Sequence, residues 1–187
     1  MPGLEFTVRT RRAAERGFTM AELMAVVAIV GILAAIATVS VKKYIASSKT
    51  SEAVHMIASI KIAEETYKDE TFGYLSVSTN ATDFYPNNNK PGQQKMNFPG
   101  TAGNVDGWQK LGVSSDAPVL FVYALTAGPA GSTPTATGTG ITVGNWPTTA
   151  ATKPWYVVKA KADLAGNGTD TVFISGSFVG ELFAANN

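Results

Sequence analysis

The chain has 187 residues, 45% of them hydrophobic and 16% charged, with a formal net charge of +1. That balance supplies no basic face for a polyanion, so composition makes no case for nucleic-acid binding. Cysteine is absent, which excludes disulfides, thiolate metal sites and a thiol nucleophile together.

Residues 1–17 are short, polar and basic, with Arg9, Arg11, Arg12 and Arg16 opposed only by Glu5 and Glu15. An apolar block follows, Leu23–Val41, and its only close charged neighbour on the N-terminal side is Glu22. At 1.5 Å per residue this block spans roughly 28 Å as a helix, near the thickness of a bilayer hydrocarbon core. A buried helix of a water-soluble domain would show a polar face, and this block has none, so it reads as membrane-inserted. The arginines place the N-terminus in the cytoplasm and the bulk of the chain outside, an asymmetry that Lys42 and Lys43 weaken without reversing. An ordinary secretory signal is cut after its apolar run. Here the run is long and passes directly into a polar helix-forming stretch, so a cut ahead of it would keep it in the mature protein.

Between Phe18 and Phe72 there is no proline, and Gly31 is the only glycine. Gly31 has two readings: a point of close helix approach, in company with Ala28, Ala34, Ala35 and Ala37, or a weak point in the helix. Beyond Val41, Met56, Ile60, Ala63 and Tyr67 recur at helical spacing, with Ala53 and Ile57 beside them and Lys61, Glu64, Glu65 and Lys68 assigned to the opposite side. One helix is therefore expected to about Thr71, roughly 80 Å long, with Gly73 as its stop.

Composition changes after Gly73; apart from Pro2, every proline lies at or after Pro86. Residues 75–118 read as a long polar loop with turn clusters at Asn87-Asn88-Asn89 and Pro99-Gly100. Strands are expected over Val119–Leu125, Trp155–Ala162, Thr171–Ser175 and Ser177–Phe183, each rich in β-branched and aromatic residues. Gly128–Thr149, dominated by Gly, Thr, Ser and Pro, reads as an exposed, mobile connection. The expected fold is α+β: a long N-terminal helix packed on an antiparallel sheet of about four strands. Its divisions are 1–17 as a removable leader, 18–41 as a membrane helix, 42–72 as the amphipathic continuation and 73–187 as a globular sheet domain.

Few residues suggest site chemistry. Asp163, Asn167 and Asp170 lie in an acidic turn that faintly resembles a calcium loop, but Ala165 stands where an oxygen is needed and no glutamate closes the site. An Asn-Gly turn between strands is the simpler reading. His55 is the only histidine, and alone it builds neither a zinc site nor a triad. Asn80-Ala81-Thr82 and Asn167-Gly168-Thr169 match the glycosylation triplet. Trp108, Trp146 and Trp155 read as core, and Asp69 and Glu70 as solvated helix-end charges. No nucleophile–base pair, metal cluster or phosphate loop is apparent, so no cofactor is expected and an anchored periplasmic enzyme has no support.

The run Arg16-Gly17-Phe18-Thr19-Met20-Ala21-Glu22-Leu23-Met24 resembles the prepilin cleavage site of type IV pilins and type II secretion pseudopilins. Val26-Val27-Ala28-Ile29-Val30-Gly31-Ile32-Leu33-Ala34-Ala35-Ile36-Ala37 continues the match. The resemblance covers roughly residues 16–57. It implies cleavage between Gly17 and Phe18 by a membrane aspartic peptidase, methylation of the new Phe18 amine and assembly of the helices into a filament core. The implied partners are other pilin subunits, the prepilin peptidase and methyltransferase, an inner-membrane assembly platform and membrane lipid; nucleic acid stays open. Three departures stand out: Val39 where a proline is common, Ala21 in place of a bulky residue, and no cysteine pair to staple the C-terminal loop.

Within that resemblance Glu22 has a chemical purpose. A charge carried to the centre of a bilayer costs about 2.5–3.5 kcal/mol on insertion scales. The amine uncovered at Phe18 of a neighbouring subunit would neutralise it and fix the axial register of each added copy. Three plainer roles stand beside this one: a carboxylate resting at headgroup level, a helix N-terminal acid favoured by the macrodipole, or a pair with the amine of its own chain one turn away. Gly17 gives a protease an uncluttered backbone. The implied function is a major or minor pilus subunit. A secretion pseudopilin is the same-family alternative, and an anchored adhesive module at a filament tip, with loops 75–118 and 128–149 as its binding region, is the alternative of another class.

Overall fold

The computed structural model describes residues 17–86, 91–100, 103–134, 146–147 and 149–185. The chain divides into two compact units, Met1–Lys43 and Tyr44–Asn187. The longest element, α1 (Met20–Thr71), has its first part in one unit and its second part in the other. All of the expected 1–17 leader but Gly17, the Asn87-Asn88-Asn89 cluster and most of the Gly128–Thr149 connection lie outside the described residues.

In the first unit α1 is apolar on every side and exposed throughout, from Met20 to Val41. Its two hydroxyls are satisfied by the helix itself. Thr38 Oγ1 donates to the Ala34 carbonyl at 2.8 Å and Ser40 Oγ to the Ile36 carbonyl at 3.2 Å. Neither hydroxyl therefore carries an unpaired donor into an apolar surrounding.

The second unit holds the rest of α1, a short helix α2 (Val105–Leu111) and four strands: β1 (Val122–Gly128), β2 (Trp155–Ala162), β3 (Thr171–Gly176) and β4 (Val179–Ala185). The strands pair antiparallel in the order β1-β2-β3-β4. One register row runs Tyr123, Ala160, Phe173, Ala184 across all four. Because side chains alternate along a strand, that row and its second neighbours share one face. Phe121, Tyr123, Leu125, Tyr156, Val158, Ala160 and Phe173 form a core there with Ala53, Met56, Ile57 and Ile60 of α1. The spacing 53, 56, 57, 60 is one face of a 3.6-residue helix. The expected α+β fold, with a four-stranded antiparallel sheet on the amphipathic part of the helix, is the observed one.

Trp155, Val157 and Ile174 form a second cluster with half-buried Trp146, Phe178 and Phe183. Two carboxylates of α1 hold backbone amides beyond the helix. Glu52 Oε1 accepts from the amides of Leu120 (2.6 Å) and Phe121 (3.1 Å) at the entry to β1. Glu64 Oε2 accepts from the Leu75 amide at 3.0 Å, just past the helix end.

Several sequence expectations need correction. Glu64 is fully buried rather than on the polar side, because it continues the stripe of Ile57 and Ile60. Lys61 is half-buried and donates to Ser175 Oγ. The span 75–118 contains α2, whose Trp108 is fully buried against Tyr85 and Phe98. At the helix terminus Phe72, not Gly73, takes the left-handed conformation, at φ +62°. β1 starts three residues later than expected; Val119 instead bridges to Met96. The connection after β1 is anchored where it is described: Pro134 is buried, and its carbonyl accepts from Trp146 Nε1 at 3.2 Å.

Candidate assembly site

The site implied by the sequence lies at the start of α1. Gly17, Phe18 and Thr19 precede the helix, and Phe18 is 82% exposed. A Cβ added to Gly17 would meet nothing within 4 Å. Packing among the described residues therefore places no demand for glycine there. The same holds at Gly31, so a close helix approach at that point would have to involve another chain.

Thr19 and Glu22 form a reciprocal cap. The Thr19 amide donates to Glu22 Oε2 at 2.8 Å, and the Thr19 hydroxyl donates to the same oxygen at 2.8 Å. In return the Glu22 amide donates to Thr19 Oγ1 at 3.2 Å, and the Leu23 amide closes the first helical turn on the Thr19 carbonyl at 3.2 Å. This capping box satisfies two of the amides that a helix N-terminus leaves unpaired. Thr19 was not singled out in the sequence, although Thr19-Met20-Ala21-Glu22 carries the Thr-x-x-Glu signature. Of the plainer readings of Glu22, the helix-terminal acid is the one this geometry displays. These four hydrogen bonds all run between Thr19 and Glu22 or Leu23.

The other candidates are not brought together. Asp163 is nearly buried, and its carboxylate accepts from the amides of Gly166 (2.7 Å), Asn167 (3.2 Å) and Gly168 (2.8 Å), with Gln93 Nε2 at 3.4 Å. These bonds, that to the Gly168 amide foremost, hold its pKa below the ordinary carboxylate range. Asn167 Oδ1 accepts from the Thr169 amide instead, and Asp170 pairs with Lys161 at 3.1 Å. The three side chains thus serve three different partners. Among the described residues no three of His, Cys, Asp and Glu gather at one point. His55 is exposed on α1. Asn80 Oδ1 accepts from the amide and hydroxyl of Thr82 in a tight turn. Trp108 and Trp155 are buried and Trp146 half-buried.

A four-stranded antiparallel sheet on the second part of a helix whose first part is apolar and exposed defines the pilin-like class of α+β proteins. The family described as the prokaryotic N-terminal methylation motif matches residues 12–38. A fimbrial protein of Pseudomonas aeruginosa is 48% identical over 52 residues, covering 28% of this chain and 34% of its own. Fimbrial protein Q of Moraxella bovis is 50% identical over 50 residues, covering 27% and 32%. The type IV major pilin protein PilA of Myxococcus xanthus is 48% identical over 59 residues, covering 32% and 27%. The chain thus matches about a third of the length of these relatives. No solved structure matches it. Over residues 12–38 the chain carries the prokaryotic N-terminal methylation motif, and the relatives it is similar to across that region are fimbrial proteins and a type IV major pilin.

Proposed function

We propose that this chain is the precursor of a type IV pilus subunit, made at the inner membrane with its N-terminus in the cytoplasm. Residues 1–17 are the leader. Cleavage after Gly17 exposes the Phe18 amine, which is methylated, and residues 18–41 leave the bilayer for the core of a surface filament. Residues 42–72 and 73–187 form the part that faces outward, and the filament serves adhesion and motility. The observation that carries this reading is an exposed apolar helix, Met20–Val41, headed by a carboxylate at Glu22. Such a surface is stable only in lipid or against other helices. Names of the relatives as fimbrial proteins and a major pilin favour the pilus over a secretion pseudopilus.

Two residues then act in sequence. Gly17 offers the peptidase a backbone that no side chain among the described residues crowds. Glu22 next meets the Phe18 amine of an adjoining copy, and an ion pair in a low-dielectric surrounding is far stronger than the same pair in water. The peptidase, the methyltransferase and the assembly platform are the partners this route requires.

Mass spectrometry of the protein isolated from cells should find a chain that begins at methylated Phe18. A product that keeps the arginine-rich leader, or one that has lost the apolar helix, would refute the proposal. Glu22→Ala should insert and be cleaved normally but form few filaments.

A further inference from the structure

Residues 72–78 lead from the end of α1 to the outer edge of β1, and hydrogen bonds fix them at both ends. On the helix side, two successive carboxylates hold two successive residues. Glu64 Oε2 accepts from the Leu75 amide at 3.0 Å. Glu65 Oε1 accepts from Tyr74 OH at 2.8 Å, and Lys68 Nζ donates to the same tyrosine oxygen at 3.0 Å. On the sheet side, the amides of Val77 (3.1 Å) and Ser78 (2.8 Å) both donate to the Leu125 carbonyl. Ser78 Oγ accepts from the Leu125 amide at 3.1 Å and Ser76 Oγ from the Ala127 amide at 3.2 Å. The segment thereby occupies backbone groups that a bare sheet edge would offer to a further strand.

One of these contacts is incomplete. Glu64 is fully buried, yet its second oxygen has no hydrogen-bond partner among the described residues. A neutral carboxyl tolerates that position far better than an ionised one, whose bare oxygen would stand uncompensated in a low-dielectric surrounding. The neighbouring groups do not supply the missing charge. Lys61 donates to Ser175 Oγ, and Lys68 is held by Tyr74 and Glu65. Glu65 has the same sign as Glu64, and Tyr74 and Tyr156 stay neutral. Tyr123 of β1 senses Glu52 instead, and Lys110 of α2 lies over the Tyr67 ring. Burial accordingly raises the Glu64 pKa, to about 7. The joint is strained as well. Phe72, at its start, is exposed and holds φ at +62°, where a Cβ crowds the backbone. Release of the segment would relieve that strain.

We infer that residues 72–78 form a pH-sensitive strap: loss of the Glu64 proton admits water to the joint, frees Leu75 and uncovers the outer edge of β1. Two responses would let water reach an ionised Glu64. Unfolding the whole unit breaks the β1–β2, β2–β3 and β3–β4 ladders. Opening the strap breaks only the few bonds described above, so it is the smaller response. An edge uncovered in this way accepts an extended strand. The inference does not depend on the pilus reading, because every group it uses lies between Lys61 and Ser175 of a single chain.

The test is amide hydrogen exchange on the full-length chain in detergent between pH 5.5 and pH 8, corrected for the intrinsic pH dependence of exchange. The amides held across the strap, those of Leu75, Val77, Ser78, Leu125 and Ala127, should lose protection by roughly 25-fold over that range, the ratio expected for a closed value near 7 and an open value of 4.5. At pH 8 they should also be at least about tenfold less protected than amides of the β2–β3 ladder, because they open without it. Glu64→Gln, which carries no charge at any pH, should remove the pH dependence. Strap amides that match the ladder at every pH open only when the whole unit unfolds, and that result overturns the inference. So does protection that stays level with pH in the wild type, or a slope that persists in Glu64→Gln. The first two readings come from the wild type alone and decide the matter even if the variant does not fold.

Discussion

At Glu22 one carboxylate oxygen accepts from both the amide and the hydroxyl of Thr19, each at 2.8 Å, while the proposed pairing with a neighbouring amine asks the same group for its charge. The two roles can be separated by substitution. Glu22→Gln keeps an acceptor at the third helical position, where glutamine also completes a capping box, and removes the charge. Thr19→Ala keeps the charge and removes the cap, at a cost of about 1 kcal/mol to the helix start. The expected outcome is that Glu22→Gln leaves circular-dichroism helicity in detergent unchanged and abolishes most assembly. Thr19→Ala should fray the first turn and assemble better than Glu22→Gln. Wild-type filament levels from Glu22→Gln would mean that the carboxylate acts as a cap and nothing more.

Among the elements, those with long periodic signals were legible in the sequence. The end of α1 near Thr71 follows from a proline-free run with glycine just beyond it, the span of β2 from its β-branched and aromatic content, and the stripe of Ala53, Met56, Ile57 and Ile60 from helical apolar spacing. Glu64 was not legible, because a charged residue on an apolar stripe reads as an edge position until its partner, the Leu75 amide, is known. The seven-residue α2 was hidden for a related reason: it is short, flanked by glycines, and held by the burial of Trp108 rather than by propensity. Thr19 was legible in principle, since the Thr-x-x-Glu spacing is there to be read. The turn at Asp163 was identified as a turn, but its reach was not: the Asp163 amide donates to the Pro91 carbonyl at 2.8 Å, locking the 91–93 segment against the end of β2. Gly92 sits in that lock at φ +89°, and a Cβ there would lie 2.6 Å from the Asp163 carbonyl oxygen. Gly112 has a similar φ, +74°, but a Cβ there meets nothing within 4 Å. Gly112→Ala should therefore cost about 1–2 kcal/mol from backbone strain alone. Gly92→Ala adds a backbone collision and should cost on the order of 3 kcal/mol or more. Equal drops in melting temperature for the two would rule out crowding at Asp163 as the cause.

The molecule as a whole must hold its C-terminal strand without a covalent staple. It does so with the β3–β4 ladder and with Phe178 and Phe183 packed against the Trp155, Val157 and Ile174 cluster. Its global stability is then exposed to the charge state of the group buried between α1 and the segment after it. Glu64 is fully buried, with one oxygen on the Leu75 amide and the other without a hydrogen-bond partner among the described residues. Burial, chiefly, pushes its pKa up to about 7, the Leu75 amide opposes that, and the neighbouring Glu65 carboxylate adds to it. Tyr74 and Tyr156 are the other titratable groups close by; they stay neutral through this range. The direction follows from proton binding. Between an unfolded value of 4.5 and a folded value near 7, the native state holds a proton that the unfolded chain has lost. Stability from this group is therefore full below about pH 4.5, falls as pH rises toward 7, and is level above it. The whole effect is at most about 3 kcal/mol. Glu64→Gln, neutral at every pH, should remove that slope: detergent-solubilised wild type should lose melting temperature from pH 5 to pH 7.5 relative to the variant, with the variant more stable at pH 8. Parallel curves for the two proteins across that window would show that Glu64 is ionised in the fold at neutral pH, with its second oxygen hydrated or paired.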